Sequence, residues 1–450
     1  GFNKIKEAMQ TVDIDMYTEC FILFDECEKL VQDVHYRDSI REPMNDFFRF
    51  QNKALISATP IVPEKDSRFD GFMRVLIQPD YVYRQKLKLI TTNNVLETLQ
   101  EVIEAKRGTV CIFCNSIDSI DSFYRLIPEL SNACTFCSED GQYKLWKGNR
   151  RKKSMMITEL ERYNFFTSRF YSAVDILCKN PPHVIFVSDL YGAAQSVIDP
   201  ATEAIQIIGR FRGGVNSVTH IASIRPELEC MSSSEIDHWI QGASTIFNGW
   251  KAQLARTTNI GERTLLQEAI GENSYLPYLD ENGKPDSFLI ANFYEKEQVK
   301  RLYTSADLLH LAYEQTGYFV FSHEERLMPV SDNERMAIQH RLAKKKRAEL
   351  IVRKLEEMEK MSKATDKKIQ KRYQRMLMNL ITSTADRYIY DCFCRFGAEF
   401  VREADYNENK LRTALNVSSE HTIKKSGQMR TYIQRALPVG AEISVQEAKS

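Results

Sequence analysis

The chain has 450 residues, of which 43% are hydrophobic and 27% are charged, a composition typical of a folded globular protein. No apolar run approaches the roughly 20 residues that a membrane-spanning helix needs, and the opening GFNKIKEAMQ has no signal-peptide core, so we expect a cytoplasmic protein without a membrane partner. Because 61 basic residues balance 61 acidic ones, a nucleic-acid partner can be argued only from where charge is placed.

Short apolar runs in the first half of the chain predict buried parallel strands. The first set comprises CFILFDE (20–26) and KALISATP (53–60), with a helix-like stretch near 37–50 between them. The second set comprises runs at 109–116, 132–138, 162–168, 183–189 and 217–224, with an amphipathic stretch at 117–130. Strands that alternate with helices predict parallel sheets. We therefore predict two α/β lobes, an incomplete one over 1–80 and a fuller one over 81–230.

The alternation ends near residue 232. Helical patterns at 232–272 and 295–316, separated by the turn signal Asn282-Gly283, predict a mixed, mainly helical accessory domain over 231–332. A long basic helix is predicted from 333 to 381, inside a basic helical region over 333–450 whose tail after about 425 is weakly patterned.

The basic helix has two interpretations. Between Ile338 and Leu380 there are 14 Lys or Arg residues and 5 Asp or Glu residues. The helix can follow a phosphate backbone. It can equally be a solvated helix whose apolar stripe packs on the rest of the chain or on a protein partner. The stripe consists of Ile351, Leu355, Met358 and Met361, and the densest basic patch consists of Lys344, Lys345, Lys346 and Arg347.

Two acids follow the first apolar run. In an α/β sheet, ligands bind beyond the carboxyl ends of the strands, which is where Asp25 and Glu26 are predicted to lie. One carboxylate there can hold a hydrated Mg²⁺ on phosphates, and the next can polarise an attacking water. A solvated strand end or a helix cap is the alternative.

Two further clusters accompany the acids. SATP (57–60) ends the second apolar run, and its hydroxyls can hydrogen-bond the acidic pair or simply form a turn. QIIGRFRG (206–213) places two arginines at the start of a helix or a tight turn. Such arginines can be a surface pair, or they can stabilise a transferring phosphoryl group held on the neighbouring lobe.

In this order and at these distances, DECE (25–28), SATP and QIIGRFR resemble motifs II, III and VI of the superfamily 2 helicases and translocases. IFCNS (112–116) looks like motif IV and TSRFYSAVD (167–175) looks like motif V. The resemblance covers about residues 20–225. It implies two tandem RecA-like lobes that hydrolyse ATP, with Mg²⁺, between them and act on nucleic acid, with DNA favoured over RNA.

The resemblance also implies a role for individual residues. Those that would act in catalysis are Glu26 as base and Arg210 and Arg212 as finger and sensor. Those that would bind the nucleotide are Asp25 (through Mg²⁺), Asp175, Gln206 and Gly209. Those that would couple hydrolysis to lobe movement are Ser57 and Thr59, and those that would contact nucleic acid are Asn115, Thr167 and Ser168.

The chain departs from the family pattern at three places. Arg212 stands one position earlier than the second arginine of Gly-Arg-x-Gly-Arg, so which arginine is the finger stays open, and Ala173 replaces a usual glycine. No Gly-x-x-x-x-Gly-Lys-[Ser/Thr] loop, which would cradle the phosphates, occurs in the chain. We expect that loop upstream of Gly1, so that this chain alone would bind ATP poorly. The alternative function is a non-catalytic, helicase-like nucleic-acid-binding or scaffold protein.

Two cysteine pairs, Cys111/Cys114 and Cys134/Cys137, match the spacing of a four-thiolate zinc site. Both lie in strand-like apolar runs, and alternate side chains of a strand point to opposite faces of the sheet. Each pair would therefore be split across the sheet, and we predict core cysteines instead of zinc ligands.

Overall fold

The computed structural model describes residues 2–11, 14–35, 37–147, 153–154, 156–157, 159–172, 174–338, 343–362, 374–376, 378–381 and 383–425. Ala173 and the tail after 425 lie outside the described residues. The chain divides into two compact units, Gly1–Arg326 and Leu327–Ser450. Among the described helices, none has the length and apolarity that crossing a bilayer requires.

The first unit opens with a pair of parallel strands, β1 and β2, as predicted. Their register runs from Phe21 opposite Asn52 to Asp25 opposite Ile56. The helix predicted near 37–50 is much shorter, because the ring of Pro43 cannot continue a helix from the residues before it. The bounds are α1 (Phe2–Gln10), α2 (Met16–Glu19), β1 (Phe21–Asp25), α3 (Lys29–Gln32), α4 (Met44–Phe47) and β2 (Asn52–Ile56).

A larger sheet of eight parallel strands occupies the rest of this unit, in the order β10-β3-β9-β8-β4-β7-β5-β6. Its five predicted strands are present as β4, β5, β7, β8 and β9, which makes the chain α/β as expected. Three strands were not predicted, namely β3 and the two edge strands β6 and β10. Strand β10 lies in the range predicted for the accessory domain. The bounds are β3 (Gln85–Thr92), β4 (Val110–Phe113), β5 (Cys134–Phe136), β6 (Lys153–Ser154), β7 (Tyr163–Phe166), β8 (His183–Ser188), β9 (Ser217–Ser223) and β10 (Phe319–Arg326).

Helices and apolar clusters cover the described part of the large sheet on both faces. Cys111 belongs to the cluster on one face and Cys114 to the cluster on the other, and Cys134 and Cys137 divide in the same way. The expectation that each cysteine pair is split is thus confirmed. The bounds of the helices are α5 (Val95–Glu104), α6 (Ile117–Leu126), α7 (Glu139–Lys147), α8 (Glu203–Gly209), α9 (Ser233–Arg256), α10 (Ile260–Gly271), α11 (Ser287–Leu302) and α12 (Ala306–Gln315).

Helix α11 connects the small strand pair to the large sheet. Near its beginning, Phe288 and Leu289 join the apolar cluster beneath β1 and α3. Near its end, Val299 and the following Tyr303 join a cluster of the large sheet. Asn292, between them, donates a hydrogen bond from Nδ2 to the carbonyl of Val31 at 2.8 Å. The strand pair is therefore held to the large sheet through α11 as well as through α8, as shown below.

The second unit is helical where it is described. The predicted apolar stripe of α14 is buried within this unit at Ile351, Leu355 and Met358. Residues 339–342 and 363–373 of the predicted long helix lie outside the described residues. The bounds are α13 (Asp332–Met336), α14 (Lys344–Ser362), α15 (Thr384–Glu403) and α16 (Glu408–Lys425).

Candidate functional site

The carboxyl end of β1 carries the acidic pair. Glu26 adopts φ 54°, a left-handed conformation that residues other than glycine seldom take and that is enriched at functional sites. The backbone N–H of Glu26 donates to Asp25 Oδ1 at 2.9 Å. Because β1 and β2 are parallel and in register, the SATP segment leaves the sheet beside the acids. The structure therefore brings the two segments to one edge.

Gln206 on α8 joins this edge to the large sheet. Its Nε2 donates to Glu28 Oε1 at 2.9 Å and to Thr59 Oγ1 at 2.8 Å. All three side chains are buried. The structure thus gathers the segments proposed as motifs II, III and VI around one amide. Gly209 ends the same helix, one residue before Arg210.

Glu28 is the residue that the sequence reasoning missed. Burial raises the pKa of this carboxyl, and a hydrogen bond from the Ser57 side chain partly offsets the rise. Its Oε2 and the Oε1 of Gln206 have no hydrogen-bond partner among the described residues. The signal for it was its place as the fourth residue of DECE, three positions after Asp25.

The two arginines occupy different environments. Arg210 is mostly buried, its Nη1 lies 3.8 Å from Glu26 Oε1, and its Nε donates to the carbonyl of Gln206. Arg212 is 62% exposed and donates from Nε to Asp175 Oδ1 at 2.9 Å. Arg210 is therefore the arginine that faces the acidic pair, while Arg212 and Asp175 pair with each other at the surface.

The residues predicted to contact nucleic acid lie at the carboxyl ends of β4 and β7. Asn115 Oδ1 accepts a hydrogen bond from the backbone N–H of Ser168 at 3.4 Å. Thr167 is buried, and its hydroxyl donates to the carbonyl of Phe136. Thr167 therefore hydrogen-bonds within the large sheet, and its contact with nucleic acid stays a prediction.

The predicted basic patch of α14 is partly engaged in ion pairs within the second unit. Arg347 pairs with the buried carboxylate of Asp386, and Lys345 pairs with Asp405 at 2.8 Å. Lys344 and Lys346 are exposed. Arg347 therefore takes part in an ion pair within the second unit, and its contact with nucleic acid stays a prediction.

A second missed element is the loop that follows β8. Asp199 is buried and accepts a hydrogen bond from Thr202 Oγ1 at 2.6 Å. Thr202 Oγ1 in turn accepts from Gln32 Nε2 of α3 at 3.0 Å. This loop therefore contacts α3, the helix that follows β1. The signal for it was Asp189 at the end of the buried run HVIFVSD, followed by Asp199 in the same loop.

The acidic edge suits a magnesium ion that is shared with phosphate. Among the described residues, no three or more His, Cys, Asp or Glu side chains are grouped so that they could hold a metal. Glu26 Oε2, however, is buried without a hydrogen-bond partner there, and Asp25 is exposed beside it. Mg²⁺ is commonly bound by one or two carboxylates with water and substrate phosphates as its other ligands, and Asp25 fits that pattern.

Comparison with known proteins does not assign the chain to a family. A scan against protein-family models finds no match, and a search of curated proteins finds none either.

Proposed function

We propose that the protein is an ATP-dependent nucleic-acid helicase or translocase in which ATP and Mg²⁺ bind between two RecA-like lobes. The observation that carries the proposal is the pair of hydrogen bonds that the side chain of Gln206 donates. They join side chains that are 178 and 147 residues distant in the chain, Glu28 and Thr59, at one buried point. These are the segments that the superfamily resemblance assigns to ATP hydrolysis and its coupling.

Each residue at this edge has a chemistry that suits phosphoryl transfer to water. When bound at Asp25, Mg²⁺ would supply charge neutralisation to the phosphates. Glu26 would take the proton of the attacking water. Arg210 would stabilise charge on the transferring phosphoryl group, as an arginine finger does. To do so it must leave Glu26, which lies 3.8 Å away.

The Gln206 contacts would couple this chemistry to movement. Gln206 and Arg210 lie on one helix and its end, so a shift of Arg210 towards phosphate also displaces the amide that holds Glu28 and Thr59. The contact would break and re-form as the lobes open and close, which is the step that moves a translocase along a strand.

The test is ATP hydrolysis by the full gene product with and without single-stranded nucleic acid. We expect Glu26→Gln to lower kcat by about 10²–10⁴-fold, the usual contribution of a general base. Glu64→Gln, which changes an exposed carboxylate after β2 in the same way, should leave kcat unchanged.

Two results would oppose the proposal. Equal hydrolysis by the Glu26→Gln and Glu64→Gln proteins would remove Glu26 from the reaction. Nucleic-acid binding without ATP hydrolysis by the unaltered full gene product would instead favour the scaffold function.

A further inference from the structure

Three carboxyl groups meet where α3, the loop before α8, and α11 come together. Glu203 Oε2 accepts a hydrogen bond from the backbone N–H of Asp199 at 3.0 Å. Glu295 on α11 interacts electrostatically with both of these acids. The proposed ATP chemistry uses none of the three.

Gln32 ties this cluster to the small strand pair. Its Nε2 donates to Thr202 Oγ1 at 3.0 Å and to Glu295 Oε1 at 3.3 Å, and its Oε1 accepts from Lys29 Nζ at 2.9 Å. Thr202 in turn donates to Asp199. One side chain of α3 therefore bridges the loop before α8 and the middle of α11.

The charges around the cluster do not balance three carboxylates. The ionisable groups that face it are Lys29 on α3, Lys296 on α11, and the phenols of Tyr171, Tyr303 and Tyr313. Burial raises the pKa of Glu203 to about 8 and the pKa of Glu295 to about 7, and it also raises the pKa of Asp199. Lys29 and Lys296 offset part of the negative charge, and protonation of the acids neutralises the rest.

We propose that Asp199, Glu203 and Glu295 form a proton-operated latch with Gln32, which holds the β1–β2 strand pair to the large sheet when the acids are protonated and releases it when they ionise. The release follows because ionised carboxylates are costly to keep in this buried position, and the repulsion of Glu295 from Asp199 and Glu203 adds to that cost. The latch lies next to the candidate site, because Thr202 precedes the helix that carries Gln206. It does not depend on the proposed ATP hydrolysis.

The direction of the pH effect follows from the sign of the shifts. A carboxyl whose pKa is raised in the folded protein binds more protons there than in the open state. Its contribution to holding the latch is complete below its ordinary pKa and is lost as the pH rises through about 7 to 8. The strand pair should therefore be held more tightly at about pH 6 than at about pH 8.5.

Hydrogen exchange of the backbone amides of residues 29–34 tests the latch in this chain. After correction for the intrinsic pH dependence of exchange, we expect protection to fall by about tenfold or more between about pH 6 and pH 8.5. The double variant Glu203→Gln/Glu295→Gln carries neutral isosteres and should keep its protection within about twofold over the same range. Glu314→Gln, at an exposed position of α12, should behave as the unaltered chain does.

Two outcomes would overturn the latch. If the protection of residues 29–34 in the unaltered chain does not change with pH, the latch is refuted by that measurement alone. An equal fall in the unaltered chain and in the double variant assigns the pH dependence to other groups.

Discussion

The hydroxyl of Tyr303 lies in a buried hydrogen-bond network that fixes the loop before α8. It donates to the carbonyl of Ile198 at 2.7 Å and accepts from the N–H of Ile198 at 2.9 Å. Since its single proton is used on Ile198, Ser188 must donate to it at 3.1 Å and accept from His220 Nε2 at 3.0 Å. Burial lowers the pKa of His220 to about 3, so its other nitrogen stays neutral and accepts from Tyr313.

Tyr303→Phe should destabilise the first unit by about 2–3 kcal/mol. The change removes three hydrogen bonds, each worth about 1 kcal/mol net, and a buried polar group left unpaired costs about 1–3 kcal/mol. The N–H of Ile198 is such a group, because Ile198 is fully buried. These losses do not simply add up, because Ser188 can turn its proton to another acceptor after the substitution.

Tyr171→Phe is the matched control. Tyr171 lies in the same apolar cluster and is 2% exposed, but its hydroxyl has no hydrogen-bond partner among the described residues. Removing a buried hydroxyl that has no partner costs nothing or stabilises the fold. The two substitutions delete the same atom, so any difference between their free energies of unfolding measures the contribution of the hydrogen-bond partners of Tyr303.

Urea unfolding followed by tryptophan fluorescence is the assay. The three tryptophans, Trp146, Trp239 and Trp250, all belong to the first unit, so the signal reports the unit that contains both tyrosines. Equal losses in the two variants, or no loss in Tyr303→Phe, would refute the reasoning about the network.

Two further pairs of substitutions test the packing at two glycines and the strength of two ion pairs. Gly192→Ala should destabilise the first unit by about 1–3 kcal/mol in the same assay, because a Cβ there would lie 2.3 Å from Asp189 Oδ2 and 2.8 Å from Ser119 Oγ. A Cβ at Gly242 on α9 would meet no atom within 4 Å, so Gly242→Ala should raise the free energy of unfolding by up to about 1 kcal/mol. A Gly192→Ala protein more stable than the Gly242→Ala protein would contradict this account of the packing. Arg347→Ala should cost about 3 kcal/mol by circular dichroism in urea, because it leaves the buried Asp386 carboxylate without this cation. Lys345→Ala, at an exposed pair, should cost less than about 1 kcal/mol, and similar losses in both would refute the distinction.

The local sequence pattern was sufficient to predict most of the strands. A parallel strand that is covered on both faces must be apolar along its whole length, so runs such as VCIF in β4 and HVIFVS in β8 are visible in the sequence. The edge strand β10, FVFSHEER, escaped prediction because it is largely exposed and therefore carries polar residues. Strand β3 also escaped prediction, because exposed and buried residues alternate in its first half and it therefore lacks a continuous apolar run.

The candidate site shows the same division. The superfamily resemblance selected Asp25, Gln206 and Arg210 from short motifs, and strand periodicity alone was enough to separate the cysteine pairs. Only the tertiary structure distinguished Arg210, which faces Glu26, from Arg212, which pairs with Asp175. Only one residue, Phe211, separates the two arginines, and the turn after α8 points their side chains in different directions.

The contacts that define the site are long-range, and that is why the sequence alone could not supply them. Gln206 meets Glu28 across 178 residues, and Gln32 meets Glu295 across 263. No periodicity or local propensity encodes such a pairing, because it depends on how α8 and α11 pack against the small strand pair. The sequence by itself determined which residues could do the chemistry and which runs form buried strands. The packing of those helices decided which of these residues meet.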